Sequence, residues 1–377
     1  MSLAPAGGIF LSCGEVSGDM YAASLVLSLR ANGYDGPLSG MVGERSAAAG
    51  VEIVRDSRAL HLMGVGEVIP AIPRLLSLKR NLASYIVSSG VRAAVFIDSP
   101  DFHLPLLSHL RSIGWRGGVV YVVPPTVWAW RGGRVKALVR DTDLCLPLFG
   151  FEHEYLTERG VKSAWLGHPM AGEFPERPSP PSGGRVALLP GSRRSEITRL
   201  LPPLIDCARM LLAEGLTPVF SIAPGIAEDM RDWMRSELRG YEVFEGDGRE
   251  LLESCAAAAG ASGTAAVEAM MLDRFMAVMY RVGLLSRLVW TVLGGTRRVS
   301  LPNILSEKDI YPELLQGEAT GENAFREIIG YMNDSSRRKT VHEGLAAARG
   351  MMGRPGAADF WARAIMSLLE PEGRAAS

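Results

Sequence analysis

Short apolar runs that end in Gly or Asp, each followed by a helical pattern, recur from the first residues of the chain as far as residue 280. This rhythm constrains the fold strongly. A run too short for a helix and apolar throughout marks a strand buried on both faces, and strands that alternate with helices build a parallel sheet. The runs at 8–13, 93–97, 118–123, 144–148 and 164–167 are expected strands, with helices over 19–31 and 103–113. The first half therefore reads as an α/β domain.

Between residues 173 and 184 the sequence EFPERPSPPSGG packs four prolines, two serines and two glycines into twelve positions and interrupts every periodicity, as a linker does. The rhythm then restarts. Strands are expected at 186–189, 218–222, 241–244, 256–261 and 275–280, with helices over 196–214, 226–238 and 264–272. After residue 323 the pattern is mainly helical and ends with 357–369. The expected organisation is a domain over 1–172, a linker over 173–184, a second domain over 185–352, and a terminal helical segment over 353–377 of the kind that often returns to the first domain. A length of 377 residues suits two doubly wound domains.

Composition removes several alternatives. An apolar content of 47% can offset the entropy of ordering the chain, so low-complexity disorder is excluded. With 40 Lys+Arg against 41 Asp+Glu, the chain lacks the basic excess of a general nucleic-acid binder. Cys13, Cys145, Cys207 and Cys255 lie far apart, without the spacing of a zinc site, and suit a reducing compartment. The N-terminus carries no basic region before its apolar run, which argues against secretion. No stretch has the ~18–20 apolar residues of a membrane-spanning helix.

Open α/β sheets bind ligands at the carboxyl ends of their strands, so residues just after each strand take priority. In the first domain GEVSGD, residues 14–19, opens a helix and suits an anion or a sugar oxygen, or is a tight turn with Ser17 or Asp19 as N-cap. IDSPD follows at 97–101, with Asp98 where a general base would meet a substrate hydroxyl. Asp101 caps the next helix or joins Asp98 on Mg²⁺. The segment YVVPPTVWAWR, 121–131, offers aromatics that stack on a sugar or pack a core, and His168 stands at the edge of the domain.

In the second domain LLPGSRRSE, 188–196, combines backbone amides at Gly191 and Ser192 with the Arg193 guanidinium, a diphosphate clamp without the P-loop pattern. ASGTAAVE, 261–268, places Ser262, Gly263 and Thr264 at a helix N-terminus and Glu268 one turn later, within reach of ribose hydroxyls. The bland alternative is a capped helix of small residues. SLPN at 300–303 and ELLQ at 313–316 are read as irregular chain carrying Asn303 and Gln316, neutral groups suited to a base edge or sugar amide.

Taken together and in order, GEVSGD, IDSPDF, PTVWAWR, LLPGSR, ASGTAAVE, SLPN and ELLQ resemble the lipid-A-disaccharide synthase family from about residue 8 to 316. The resemblance implies a GT-B fold, two Rossmann-like domains facing a cleft, with donor on the second and acceptor on the first. The implied reaction transfers 2,3-diacylglucosamine from UDP-2,3-diacylglucosamine to the 6-hydroxyl of 2,3-diacylglucosamine 1-phosphate, lipid X. It makes a β-1,6 bond with inversion and releases UDP. Carried over by motif, Asp98 is the base with Glu15 and Ser17 at the reaction centre. Arg193, Ser262, Gly263 and Thr264 take the diphosphate, Glu268 the ribose, and Asn303 and Gln316 the nucleotide sugar, with no metal and no cofactor implied. His103 departs from the Asn that the family commonly has there, and the region after residue 281 also differs.

Acylated substrates imply work on the cytoplasmic face of the inner membrane, and a homodimer is left open. MGVGEVIPAIPRLL, 63–76, followed by Lys79 and Arg80, suits an interfacial segment, with Val65, Val68, Ile69, Leu75 and Leu76 as contacts; the alternative is a buried amphipathic helix. Other readings of the same motifs are a different GT-B transferase, a UDP-sugar epimerase, or a non-catalytic nucleotide-sugar-binding protein.

Overall fold

A computed structural model of the chain describes residues 7–61, 68–128, 131–174, 183–281 and 298–369. The chain divides into two compact units, Met1–Gly172 with Met352–Ser377, and Glu173–Met351.

The first unit carries β1 (Ile9–Cys13), β2 (Leu38–Val42), β3 (Glu52–Asp56), β4 (Ala93–Ile97), β5 (Gly118–Val122) and β6 (Leu144–Leu146), all parallel, in the order β3-β2-β1-β4-β5-β6. The second carries β7 (Arg185–Leu189), β8 (Thr217–Ile222), β9 (Glu242–Glu245), β10 (Ala257–Ala261), β11 (Phe275–Tyr280) and β12 (Glu313–Leu315), in the order β12-β11-β10-β7-β8-β9. The two orders are the same pattern. In each, the first and fourth strands of the unit lie side by side and their connections leave in opposite directions, which opens a crevice at their carboxyl ends.

Registers fix what borders each crevice. Ile9 to Cys13 pair with Ala93 to Ile97, so Gly14 and Asp98 leave the first sheet together. Leu189 pairs with Gly260, so Gly191 and Ser262 leave the second sheet in the same way. The central strands IFLSC and AAVFI are buried at every position, which is why they read as continuous apolar runs. Small residues in β10 allow close packing. A methyl on Gly260 would come to 2.1 Å from Leu189 O.

The terminal helix Ala357–Leu369 packs on the helix Val16–Ala31 within the first unit. Its Trp361 is 1% exposed and stands edge-on to Tyr21 at 6.2 Å, a burial that contributes about 2–3 kcal/mol.

Three expectations change. Residues 164–167 make one isolated bridge, Gly167 to Gly353, and no strand, because Trp165 and Gly167 dock on neighbouring loops. The first helix begins at Val16, with Glu15 extended as its N-cap, so neither Ser17 nor Asp19 caps it. Residues 301–303 and 313–315, read as irregular, belong to the helix Leu301–Ser306 and to strand β12. Most of the Pro-rich segment lies outside the described residues.

Candidate active site

Asp98 sits just past β4 with φ 54, and Ser99 follows with φ 45. Two successive left-handed residues turn the chain so that the Asp98 carboxyl falls back on the start of the first helix. There Gly14 and Gly18 leave the room for it. A methyl on Gly14 would meet the Ser99 hydroxyl at 2.0 Å, and one on Gly18 would meet Asp98 Oδ2 at 2.4 Å. The two glycines of GEVSGD are therefore spaces shaped to IDSPD.

The Ser99 hydroxyl donates to Asp98 Oδ1. Oδ2 is buried without a protein hydrogen bond, while the nearby Gly14 and Glu15 amides favour the charged form of the carboxyl. Burial pushes the carboxyl up to about 7; the Ser99 hydroxyl opposes the rise, and the Glu15 charge adds to it. A carboxyl so placed accepts a proton near neutral pH. Glu15 is exposed and Ser17 half-buried beside it.

The remaining polar residues of these motifs do other work. Asp19 accepts from the amides of Gly43 (2.9 Å), Arg45 (3.0 Å) and Ser46 (3.3 Å), tying the first helix to the N-terminus of the helix Glu44–Ala48 that follows β2. Asp101 caps nothing, since Ser99 is the N-cap of the helix Pro100–Ser112. Its carboxylate instead takes the guanidinium of Arg131 at 2.6 Å and that of Arg134, on the loop after β5. Asp98 and Asp101 thus face different partners, which argues against a shared cation.

Trp128 is half-buried, donates to Glu152 Oε1 at 3.0 Å and packs edge-on against Phe151; Trp130 lies outside the described residues. Burial pushes the Glu152 carboxyl up to about 7. His168 is 2% exposed, stacks on Phe149 and accepts from the Met170 amide at 3.1 Å, while burial holds its pKa down to about 4. It is a neutral structural histidine.

In the second unit Gly191 has φ +102, and a methyl there would stand 2.7 Å from Glu196 Oε2. This turn delivers Arg193 to the N-cap of the helix Arg194–Ala213, with its side chain 65% exposed and 3.2 Å from Glu196 Oε1. Across the switch point, Gly263 caps the helix Thr264–Met271 in open space. Its first-turn amides are directed off the helix end, as helix geometry requires. Ser262 donates to Val299 O at 3.2 Å. Glu268 lies one turn on; burial pushes its carboxyl up to about 7, with the charge of Asp247 adding to the rise.

Asn303 departs from its expected role. It is 1% exposed, and its amide donates to Tyr311 O (2.8 Å) and Glu313 Oε1 (2.9 Å) while its oxygen accepts from the Tyr311 amide (2.9 Å). Those bonds and its burial turn the side chain inward. The hub it serves is Glu313, whose carboxylate also accepts from the Val299 amide (2.9 Å) and the Ser300 amide (2.9 Å) and hydroxyl (2.7 Å). SLPN and ELLQ are therefore two halves of one hydrogen-bonded knot. Gln316, with φ 51, stands at the carboxyl end of β12, its carbonyl accepting from Arg281 at 3.2 Å.

The helix Val68–Ser88 buries Leu78, Leu82 and Ile86 in the core, yet Ile72 and Leu76 are 45% and 42% exposed, with Arg74 and Arg80 exposed beside them. Leu75 is half-buried. Val65 and the side chains of Val68 and Ile69 lie outside the described residues. Among those described, no helix is long and apolar enough to cross a membrane, and no group of three or more His, Cys, Asp or Glu is gathered as for a metal.

A family model described as lipid-A-disaccharide synthetase matches residues 9–351. The chain is 38% identical to the lipid-A-disaccharide synthase of Myxococcus xanthus, covering 96% of this chain and 98% of that one. It is 35% identical to that of Anaeromyxobacter sp. (strain K), over 93% and 94%. Among solved structures, a putative UDP-N-acetylglucosamine 2-epimerase from Listeria monocytogenes superposes with TM-score 0.66 at 13% identity, over 98% of each chain. The spinosyn rhamnosyltransferase SpnG complexed with thymidine diphosphate superposes with TM-score 0.61 at 14% identity, over 96% of this chain and 100% of that one. At these identities the structural likeness shows the fold, which is GT-B.

Proposed function

The chain belongs to the lipid-A-disaccharide synthetase family, and on that footing we propose that it joins UDP-2,3-diacylglucosamine to the 6-hydroxyl of lipid X with Asp98 as the base. The observation that carries the assignment is Asp98 itself: a partly buried carboxyl past β4 at the switch point of the first sheet, with its pKa raised to about 7. Asp98 takes the proton of the acceptor hydroxyl as that oxygen bonds to C1 of the donor sugar. The bond from C1 to the diphosphate oxygen breaks, UDP leaves with the electron pair, and the single displacement inverts the α-linked donor to a β-product.

Glu15 keeps Asp98 basic by repelling its charge, and Ser17 lines the same turn. Arg193, Ser262 and the amides at Gly263 and Thr264 meet the negative charge that grows on the leaving diphosphate. Glu268 takes the ribose hydroxyls and Gln316 the nucleotide sugar, while Asn303 acts by holding Glu313 against the start of the helix Leu301–Ser306.

Both substrates are acylated, so the enzyme works at the cytoplasmic face of the inner membrane. Exposed Ile72 and Leu76 with Arg74 and Arg80 support this, an apolar stripe flanked by cations being what an anionic bilayer surface binds. The assignment is tested by supplying the purified chain with both substrates. Disaccharide 1-phosphate and UDP should appear in equal amounts. UDP released as fast without lipid X would overturn it.

A further inference from the structure

We infer that His103 is a positioning residue for the proposed base: its Nδ1–H holds the backbone carbonyl of Asp98 and thereby fixes where the Asp98 carboxylate stands. The inference rests on Asp98 being the proton acceptor. His103 is fully buried, so it acts only through its neighbours.

Those neighbours define its state. Nδ1 lies 2.8 Å from Asp98 O, an oxygen that can only accept, so the ring proton is on Nδ1. Nε2 lies 2.8 Å from Ser12 Oγ and accepts its hydrogen. Burial brings the imidazole pKa down to about 4, and the ring is neutral at physiological pH. The Tyr121 hydroxyl donates to the same Asp98 carbonyl at 2.6 Å. Two donors thus occupy both lone pairs of one oxygen.

The anchor matters because of the backbone it holds. Asp98 and Ser99 adopt φ 54 and 45, a conformation that side-chain-bearing residues disfavour. Released, this turn would relax and carry the carboxylate off the space made by Gly14 and Gly18. Ser12 belongs to β1, Tyr121 to β5 and His103 to the helix Pro100–Ser112, so three rigid elements define one carbonyl. The buried ring packs against Phe96 at 5.2 Å and Phe102 at 5.7 Å, which prevents it from turning away.

Two substitutions separate the ring's two contacts. H103N keeps an N–H where Nδ1 stood but does not reach Ser12; H103Q reaches toward Ser12 and leaves the Asp98 carbonyl without that donor. The readouts are kcat, KM for each substrate, and UDP affinity. H103N should stay within about threefold of wild type in kcat. H103Q should lose roughly 100-fold in kcat, the cost of an ångström-scale misplacement, with KM and UDP affinity unchanged.

A folded H103Q enzyme with wild-type kcat overturns the inference, as does H103N losing as much as H103Q. Should H103Q fail to fold, Tyr121→Phe removes the other donor to the same carbonyl; a kcat-only loss is then expected, and unchanged kcat overturns the inference. The ¹⁵N shifts of wild-type His103 should report the Nδ1–H tautomer, and Nε2–H would contradict it. Asp98→Asn measured alongside separates the claims. An active D98N enzyme removes the base assignment, whereas inactive D98N with active H103Q removes only the positioning role.

Discussion

Gly18 and Asp98 are fitted to one another: a methyl on Gly18 would stand 2.4 Å from Asp98 Oδ2, inside any contact a real side chain makes. Two motifs eighty residues apart in sequence are thereby one object, a carboxylate seated in the first turn of a helix. The glycine lies within the helix Val16–Ala31, where Ala is otherwise the better residue by about 1 kcal/mol.

Gly18→Ala therefore sets helix propensity against the seat of the base. The expected outcome is a kcat roughly 100-fold lower with a thermal midpoint close to wild type. Steady-state kinetics beside a thermal melt reads both. Unchanged kcat would mean that the carboxylate does not need this seat.

Asp98 also sets a pH dependence. The base must be ionised to act, so kcat/KM should rise as pH passes through about 7 and level above it. Its raised pKa has the opposite effect on stability. Between the ordinary aspartate range near 4 and about 7 the folded state binds the proton that the unfolded chain releases, so stability is lost as pH rises across that window. D98N escapes this loss. Its stability relative to wild type should increase by about 2 kcal/mol from pH 4 to pH 8, less than the full shift because the carboxyl retains solvent access. Melts of both proteins across that range measure the difference, and parallel curves would contradict it.

Glu313 makes a different prediction, since it accepts from Val299, Ser300 and Asn303 at once. Glu313→Ala leaves those donors unsatisfied and should cost roughly 3 kcal/mol. Asn303→Ala in the same background should add little, because both variants break one knot. Denaturant titration of the double-mutant cycle decides, and additive losses would dissolve the knot.

The exposed stripe on the helix Val68–Ser88 is testable without chemistry. Replacing Ile72 and Leu76 together by Ser should change stability by only about 0.5 kcal/mol each, as both are exposed. Cosedimentation with anionic vesicles should fall roughly tenfold or more for the lost apolar contact. Unaltered vesicle binding would remove this surface as the membrane contact.

The βα rhythm was legible because central strands such as IFLSC and AAVFI are buried on both faces and leave an unbroken apolar signature. Edge strand β3, EIVRD, is largely exposed, and in β2, LSGMV, Ser39 and Gly40 interrupt the apolar run although the strand is buried, so neither writes that signature. That Asp98, Arg193 and the 262–268 segment stand just past the carboxyl ends of strands was legible, because the apolar runs before them mark where those strands end. The partners that give those residues their geometry were not: His103, Tyr121 and Ser12 meet only when three elements pack, and Glu313 looks like any loop acid until its four hydrogen bonds are seen. Asn303 misled for the same reason, since a polar residue of the short helix Leu301–Ser306 gives no sign in sequence of whether its amide turns outward or in.

The central claim is that Asp98 takes the acceptor proton, and Asp98→Asn tests it most directly. Disaccharide 1-phosphate formation from UDP-2,3-diacylglucosamine and lipid X should fall by a factor of roughly 1,000 or more, within the range expected for losing a general base, while UDP affinity stays at the wild-type value. A D98N enzyme that forms product within about tenfold of wild type would contradict the account.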